Sequence, residues 1–184
     1  WFWAPGTKPA LSSFTEKTGK PGAMISAVDP LKGIAVGAGM QVLEVKGATG
    51  GLTTNYEGKA GAAAKALLGD GNDFAYIHVE APDEMGHQGS VENKVKAIEY
   101  LDGRVIRPLY DALTASGEDF RMLILPDHPT PIRLRTHTGD PVPYLLYDST
   151  AKLGTGALYN EASAQQTGVY IEKGYTLIDH LFER

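Results

Sequence analysis

Two short apolar runs that each end in metal-ligand chemistry constrain this chain more than any other feature. Asp73-Phe-Ala-Tyr-Ile-His-Val79 leads into Ala81-Pro-Asp-Glu-Met-Gly-His87, and the run from Arg121 to Leu125 leads into Pro126-Asp-His128. His137 follows nine residues later in a Thr-His-Thr context. Each run has the length and composition of a buried strand. Parallel strands put their carboxyl ends on one side, and open α/β sheets bind ligands in the crevice beyond those ends. Asp83, His87, Asp127, His128 and His137 are therefore expected to gather there, and their oxygens and nitrogens suit Zn²⁺ or Mn²⁺.

The rest of the chain supports that architecture. Residues 22–28 and 40–45 read as strands, 30–38 as a short helix or turn, and the glycine-rich stretch 47–51 as a turn. Tyr56 to Leu68 is alanine-rich with Gly69 just beyond, the composition and stop signal of a helix. Val91, Val95, Ile98, Leu101, Val105, Leu109 and Leu113 recur at three- and four-residue steps, which predicts a long amphipathic helix that Pro108 bends or divides. Residues 144–147 read as a further strand and 176–182 as a closing helix. Strands alternating with helices predict an α/β fold, a mostly parallel sheet with helices on both faces. Residues 1–22, rich in Pro, Gly, Ser and Lys, are expected to be a connection entering the domain formed by 23–184.

Composition narrows the function classes. With 184 residues, 42% of them hydrophobic, the chain is long enough for one domain with a core, and it contains no apolar run fit to span a bilayer. A net charge of −5 with scattered basic residues argues against a general nucleic-acid binder. Arg133 and Arg135 are the exception, sitting beside His137 where an anionic substrate would meet them. The absence of Cys excludes disulfides and thiolate metal sites. Trp1, Trp3 and Pro5 do not make a signal peptide, so the cytoplasm is the expected compartment, and the missing initiator Met points to sequence upstream.

Taken singly, an Asp-x-x-x-His or a histidine at a strand end is more often a turn former or a hydrogen-bonded surface group. Two Asp/His pairs and a further His after apolar runs make a more specific pattern. Two divalent ions held this way could clamp the attacking and leaving oxygens of a phosphoryl or sulfuryl transfer.

The wording of these segments is itself informative. Pro82-Asp-Glu-Met-Gly-His-Gln-Gly-Ser90, Leu125-Pro-Asp-His128 and Thr136-His-Thr-Gly-Asp-Pro-Val-Pro143 resemble cofactor-independent phosphoglycerate mutase, specifically its archaeal-type branch within the alkaline phosphatase superfamily. Ile25-Ser-Ala-Val-Asp-Pro-Leu-Lys-Gly33, Gly47-Ala-Thr-Gly50 and Thr54-Asn-Tyr-Glu-Gly-Lys-Ala60 match the same branch, so the resemblance covers nearly the whole chain. It implies that Asp83, His87 and His137 hold one ion and that Asp127 and His128 contribute to a second, the ions being Mn²⁺, Zn²⁺ or Mg²⁺. It further implies that Lys32 approaches the phosphorylated substrate, a solvated lysine on a surface helix being the other reading; for Arg133 and Arg135 nearness to His137 favours substrate contact, while alternation with Ile132 and Leu134 equally suits an exposed strand. The family's nucleophile, an additional Asp ligand and a substrate-binding insertion would all precede Trp1. The resemblance thus implies the C-terminal part of a longer enzyme that shuttles a phosphoryl group between 2- and 3-phosphoglycerate in glycolysis and gluconeogenesis.

Rival readings share the metal pattern. Sulfatases, phosphopentomutases, phosphodiesterases and a homoserine-kinase-like activity lie in the same superfamily, and the isolated chain could equally be a metal-binding domain without turnover. For the remaining histidines, His78 alternates with Ile77 and Val79 and is expected to pack or support a ligand rather than act as one. His180 is expected at the surface, and Trp1 and Trp3 against the absent domain.

Overall fold

The computed structural model describes residues 6–7, 9–151, 154 and 156–182. Trp1 and Trp3 lie outside the described residues. The elements run α1 (Phe14–Thr18), β1 (Gly22–Ile25), α2 (Asp29–Gly37), β2 (Gln41–Val42), α3 (Tyr56–Leu68), β3 (Phe74–Ile77), α4 (Ala81–Gln88), α5 (Val91–Leu101), α6 (Arg107–Ser116), β4 (Arg121–Ile124), β5 (Leu145–Asp148), α7 (Glu161–Gln166) and α8 (Leu177–Phe182).

Strands β2, β1 and β3 form a parallel sheet in that order, with Ala23 opposite Ala75 and Ile25 opposite Ile77. Side chains alternate across a strand, so these four share one face. That face is covered by α3 and α6: Ile25 packs with Ala63, Leu109 and Leu113, and Ala75, Ile77 and Met122 join the cluster. The opposite face carries Phe74, whose ring stacks on Phe14 of α1 at 4.9 Å and meets Phe182 of α8 edge-on at 5.5 Å. The chain from 1 to 22 thus includes a helical turn, α1, laid against the sheet.

The expected parallel sheet with helices on both faces is present, with one difference. Strand β4 does not hydrogen-bond to it but pairs antiparallel with β5, Arg121 opposite Asp148 and Ile124 opposite Leu145. The long helix expected over 91–113 is divided into α5 and α6 by a π-turn at Asp102–Ile106. Pro108 falls in the first turn of α6, directly after this wider turn, and a proline without an N–H in a continuous helical run is a physical cause for such an interruption. Val105, Leu109 and Leu113 remain buried through the break.

Candidate metal centre

Asp83 and His87, expected just past a strand end, lie on α4, the helix that follows β3. Pro82 stands in the first turn, Asp83 and Glu84 complement the positive end of the helix dipole, and Gly89 closes the helix in the left-handed conformation at φ 71°. A separation of four residues puts the Asp83 and His87 side chains on one face. His87 Nε2 lies 3.2 Å from Asp83 Oδ2.

The segment after β4 closes over that face. His137 Nε2 sits 3.0 Å from His87 Nε2 and 3.3 Å from Asp83 Oδ1. The His128 ring lies 3.7 Å from the His137 ring, centroid to centroid, with its Nε2 at 3.5 Å from Asp83 Oδ1. His128 Nδ1 is 3.3 Å from Asp127 Oδ2, and the exposed Asp127 also accepts the His128 amide. All five expected ligands are therefore in one cluster, with Asp83 contacting three of the histidines and Asp127 reached through His128.

Three features hold the cluster in shape. Gly86 on α4 is one: a Cβ there would fall 2.6 Å from the Thr130 carbonyl oxygen, so only glycine permits this approach of the loop. The approach lets the buried Thr130 donate its hydroxyl to Asp83 Oδ1, while Lys94 Nζ donates to the Thr130 carbonyl at 2.7 Å. Arg135, at φ 56°, turns its carbonyl toward His87 Nδ1 at 2.9 Å. A carbonyl can only accept, so Nδ1 carries the proton, and in the neutral ring Nε2 then presents its lone pair to the cluster.

Burial pushes the Asp83 carboxyl up, but the Thr130 hydroxyl and the electrostatic influence of the neighbouring His87, His137 and His128 outweigh it and hold the group below the usual carboxylate range. Burial pulls the Lys94 ammonium down, against the attraction of Asp83 and Glu161. His78, at the end of β3, is pulled down by burial, against Glu80 and Asp127; its Nδ1 lies 3.4 Å from Ser26 Oγ. The fully buried Lys59 donates to the His78 carbonyl at 2.9 Å. His78 thus stands beside the cluster rather than in it.

Of the expected substrate contacts, Arg133 and Arg135 are exposed in a turn next to His137, where an exposed strand was the other reading. Lys32 pairs with Glu44 at 3.0 Å and with Asp29 at 3.9 Å. Exposed His180 lies on α8, and its carbonyl accepts from Arg121. Thr130, Lys94 and the Arg135 carbonyl were not singled out from sequence. Pro129-Thr-Pro131 is the one cue, since flanking prolines stiffen a loop that must present a hydroxyl at a fixed place.

The donor set fits a divalent metal. Ligand atoms around a tetrahedral ion with bonds of about 2.0–2.1 Å stand roughly 3.3 Å apart. One ligand atom from each of Asp83, His87 and His137 falls within 4.8 Å of the others; Asp83 Oδ2 lies 3.2 Å from His87 Nε2 and Oδ1 3.3 Å from His137 Nε2, and the two Nε2 atoms are 3.0 Å apart. Two unprotonated imidazole nitrogens facing each other at that distance repel unless a proton or a cation lies between them.

The comparisons agree with this chemistry. A family model for the metalloenzyme superfamily matches residues 1–178. A Geobacter sulfurreducens protein described as a probable 2,3-bisphosphoglycerate-independent phosphoglycerate mutase is 48% identical over the full chain, which spans 46% of its length. The 2,3-bisphosphoglycerate-independent phosphoglycerate mutase of Methanosarcina acetivorans is 50% identical over 98% of the chain and 45% of its own length. Among solved structures, the PH0037 protein of Pyrococcus horikoshii superposes with a TM-score of 0.77 at 33% identity, over 88% of this chain and 48% of that one. The cofactor-independent phosphoglycerate mutase of Thermoplasma acidophilum gives 0.64 at 25% identity, over 94% and 39%. The chain spans about half the length of the curated relatives it matches, in their C-terminal part.

Proposed function

The chain belongs to the metalloenzyme superfamily, and from that premise we propose that it is the metal-binding part of a cofactor-independent phosphoglycerate mutase that interconverts 2- and 3-phosphoglycerate. The observation that carries the reading is the convergence of Asp83, His87 and His137 from two segments some 50 residues apart in sequence. We propose that these three hold one divalent ion and that Asp127 and His128 contribute to a second, with Mn²⁺, Zn²⁺ or Mg²⁺ as the candidates. Bound there, the ions would supply Lewis-acid stabilisation of the charge that builds on phosphoryl oxygens.

The chain's own groups have separable tasks in this reading. Thr130 fixes the Asp83 carboxylate, and the Arg135 carbonyl fixes the tautomer and ring plane of His87, so neither ligand has to reorganise when charge develops. Arg133 and Arg135 offer guanidinium groups to the anionic substrate from the rim. Lys32 would join them by exchanging Glu44 for a phosphate oxygen. The phosphoryl-accepting nucleophile is assigned to the part of the longer polypeptide that the relatives carry beyond this chain. Glycolysis in the cytoplasm is the proposed setting.

The test is a coupled enolase assay on the 184-residue chain and on a polypeptide that joins it to the preceding part of the Geobacter relative. Turnover by the joined protein and none by the chain alone is the expected result. Failure of the joined, folded protein to interconvert phosphoglycerates, with homoserine and ATP turned over instead, would replace the substrate assignment.

A further inference from the structure

His87, His128 and His137 stand in the metal cluster and His180 lies on α8, which leaves His78 without a task in the proposed reaction. Its place is fixed from three sides. The His78 amide donates to the Ile25 carbonyl at 2.8 Å, and its carbonyl accepts from Lys59 Nζ at 2.9 Å. Lysine is almost never fully buried without a partner, so Lys59, with no exposed surface, is committed to holding the end of β3. The ring is held by Ser26. One step past the Ile25–Ile77 pair, Ser26 stands beside His78, and its Oγ lies 3.4 Å from Nδ1.

The partners of Ser26 decide which ring nitrogen carries the proton. Ser26 is 3% exposed, and its oxygen already accepts from the Val28 amide at 3.0 Å. A buried O–H requires an acceptor, and among the described residues His78 Nδ1 is the one within reach. Ser26 therefore donates to Nδ1, and the neutral ring carries its proton on Nε2. Burial holds the His78 pKa below the ordinary histidine value, against the attraction of Glu80 and Asp127, which keeps the ring neutral at physiological pH. This is the opposite tautomer from His87, whose Nδ1 proton goes to the Arg135 carbonyl and whose Nε2 faces the cluster with a lone pair. A metal ligand must offer a lone pair, whereas an N–H can only donate. His78 is thus set up to hold an oxygen and not an ion.

Among the described residues Nε2 has no hydrogen-bonding partner, and His78 lines the same cavity as Asp127, His128 and His137. We propose that His78 donates its Nε2–H to an oxygen of the substrate's phosphoryl group, and that Ser26 is the positioning residue that fixes its tautomer and ring plane. A neutral donor set in place at the carboxyl end of β3 needs no reorganisation when charge builds on that oxygen. The phosphoryl group is the part of the substrate that the neighbouring ligands address, so the donor beside them meets it rather than the carboxylate. The proposal rests on the phosphoryl-transfer reading of the site.

Selective ¹⁵N labelling of the histidine rings tests it by nuclear magnetic resonance, on the 184-residue chain and on the joined protein described above, both loaded with Zn²⁺. In the wild type His78 Nε2 is expected to carry the proton and Nδ1 to be bare, and Ser26→Ala should leave a mixture of tautomers. A wild-type ring protonated at Nδ1 overturns the proposal. Inorganic phosphate added to the joined protein should move the Nε2 proton resonance downfield, and glycerate should not. No movement with phosphate, as when the rest of the polypeptide takes the donor, or movement with glycerate alone would each overturn it. In the joined protein, His78→Ala is expected to lower kcat/KM for phosphoglycerate by about 10- to 100-fold with Zn²⁺ affinity unchanged in calorimetry. His78→Gln, which keeps an N–H near the Nε2 position, should recover most of that loss. Weakened Zn²⁺ binding in His78→Ala would make the residue a support for the ligands and overturn the substrate contact. If the wild-type joined protein shows no mutase turnover while phosphate still moves the Nε2 proton, the contact stands and the reaction is wrong; turnover without that movement does the reverse.

Discussion

His87 and His137 face one another Nε2 to Nε2 at 3.0 Å, with Asp83 within 3.3 Å of both. Because His87 has its Nδ1 proton committed to the Arg135 carbonyl, its free lone pair points at His137. An ion between them satisfies both nitrogens and the carboxylate at once. The chain is therefore expected to bind Zn²⁺ or Mn²⁺, and titration calorimetry on His87→Ala, His137→Ala and Asp83→Asn should each show affinity reduced by at least about 10²-fold, more than the loss of a supporting group costs. Binding unchanged in all three would remove the assignment. Asp127→Asn, at the exposed end of the cluster, is expected to leave the first ion in place.

Gly86 gives a prediction about support rather than ligation. A methyl group at this position meets the Thr130 carbonyl at 2.6 Å, and that backbone atom cannot simply swing away. Gly86→Ala should push the 129–131 loop off α4, cost about 1–3 kcal/mol, and lower the melting temperature by about 2–4 °C per kcal/mol. Metal affinity should fall with it, because Thr130 no longer fixes Asp83. Thr130→Val is the companion variant: it should weaken metal binding with a smaller loss of stability.

A third expectation concerns acid. Asp148 on β5 accepts from the Thr150 hydroxyl and amide and from Arg121 at 2.6 Å, and these bonds lower its carboxyl to about 2. The unfolded chain holds the same group near about 3.9, so between the two values the unfolded state binds more protons. The stabilisation is thus complete above about pH 4 and is lost as pH falls toward 2. Urea unfolding of the wild type and Asp148→Asn should differ at neutral pH and converge through that window; a difference independent of pH would show that the pairing does not contribute.

Much of this was readable from residues, and the gaps have physical causes. Helix α3 is bounded as expected because an alanine-rich segment between Asn55 and Gly69 carries its own start and stop. Helix α4 was not seen because its buried residues are Ala81, Met85 and Gly86, too few and too small to show a helical period among Asp83, Glu84 and His87. Pro82 was the available signal, since proline favours a first helical turn. The five expected ligands could be picked out together because they follow two runs read as strands, and the structure brings them into one cluster. Their support was not, because Thr130 reaches Asp83 across 47 residues of sequence and nothing local marks the pairing. The antiparallel partner of β4 was equally hidden: the run at 144–147 gives a strand but no direction.

The last prediction joins the site to turnover. In the joined protein, His87→Ala and Asp127→Asn each remove a proposed ligand, and charge stabilisation in the transition state should fall by several kcal/mol, on the order of 10²-fold or more in rate. Arg135→Ala separates two roles of one residue. Its backbone carbonyl still receives the His87 Nδ1 proton after the side chain is cut, so metal binding should persist, while loss of the guanidinium from the rim should raise KM for phosphoglycerate with a smaller change in kcat. Loss of metal together with activity in Arg135→Ala would mean that the side chain holds the 132–136 turn in place, which its packing over Gly89 also permits, and the substrate role would pass to Arg133 alone.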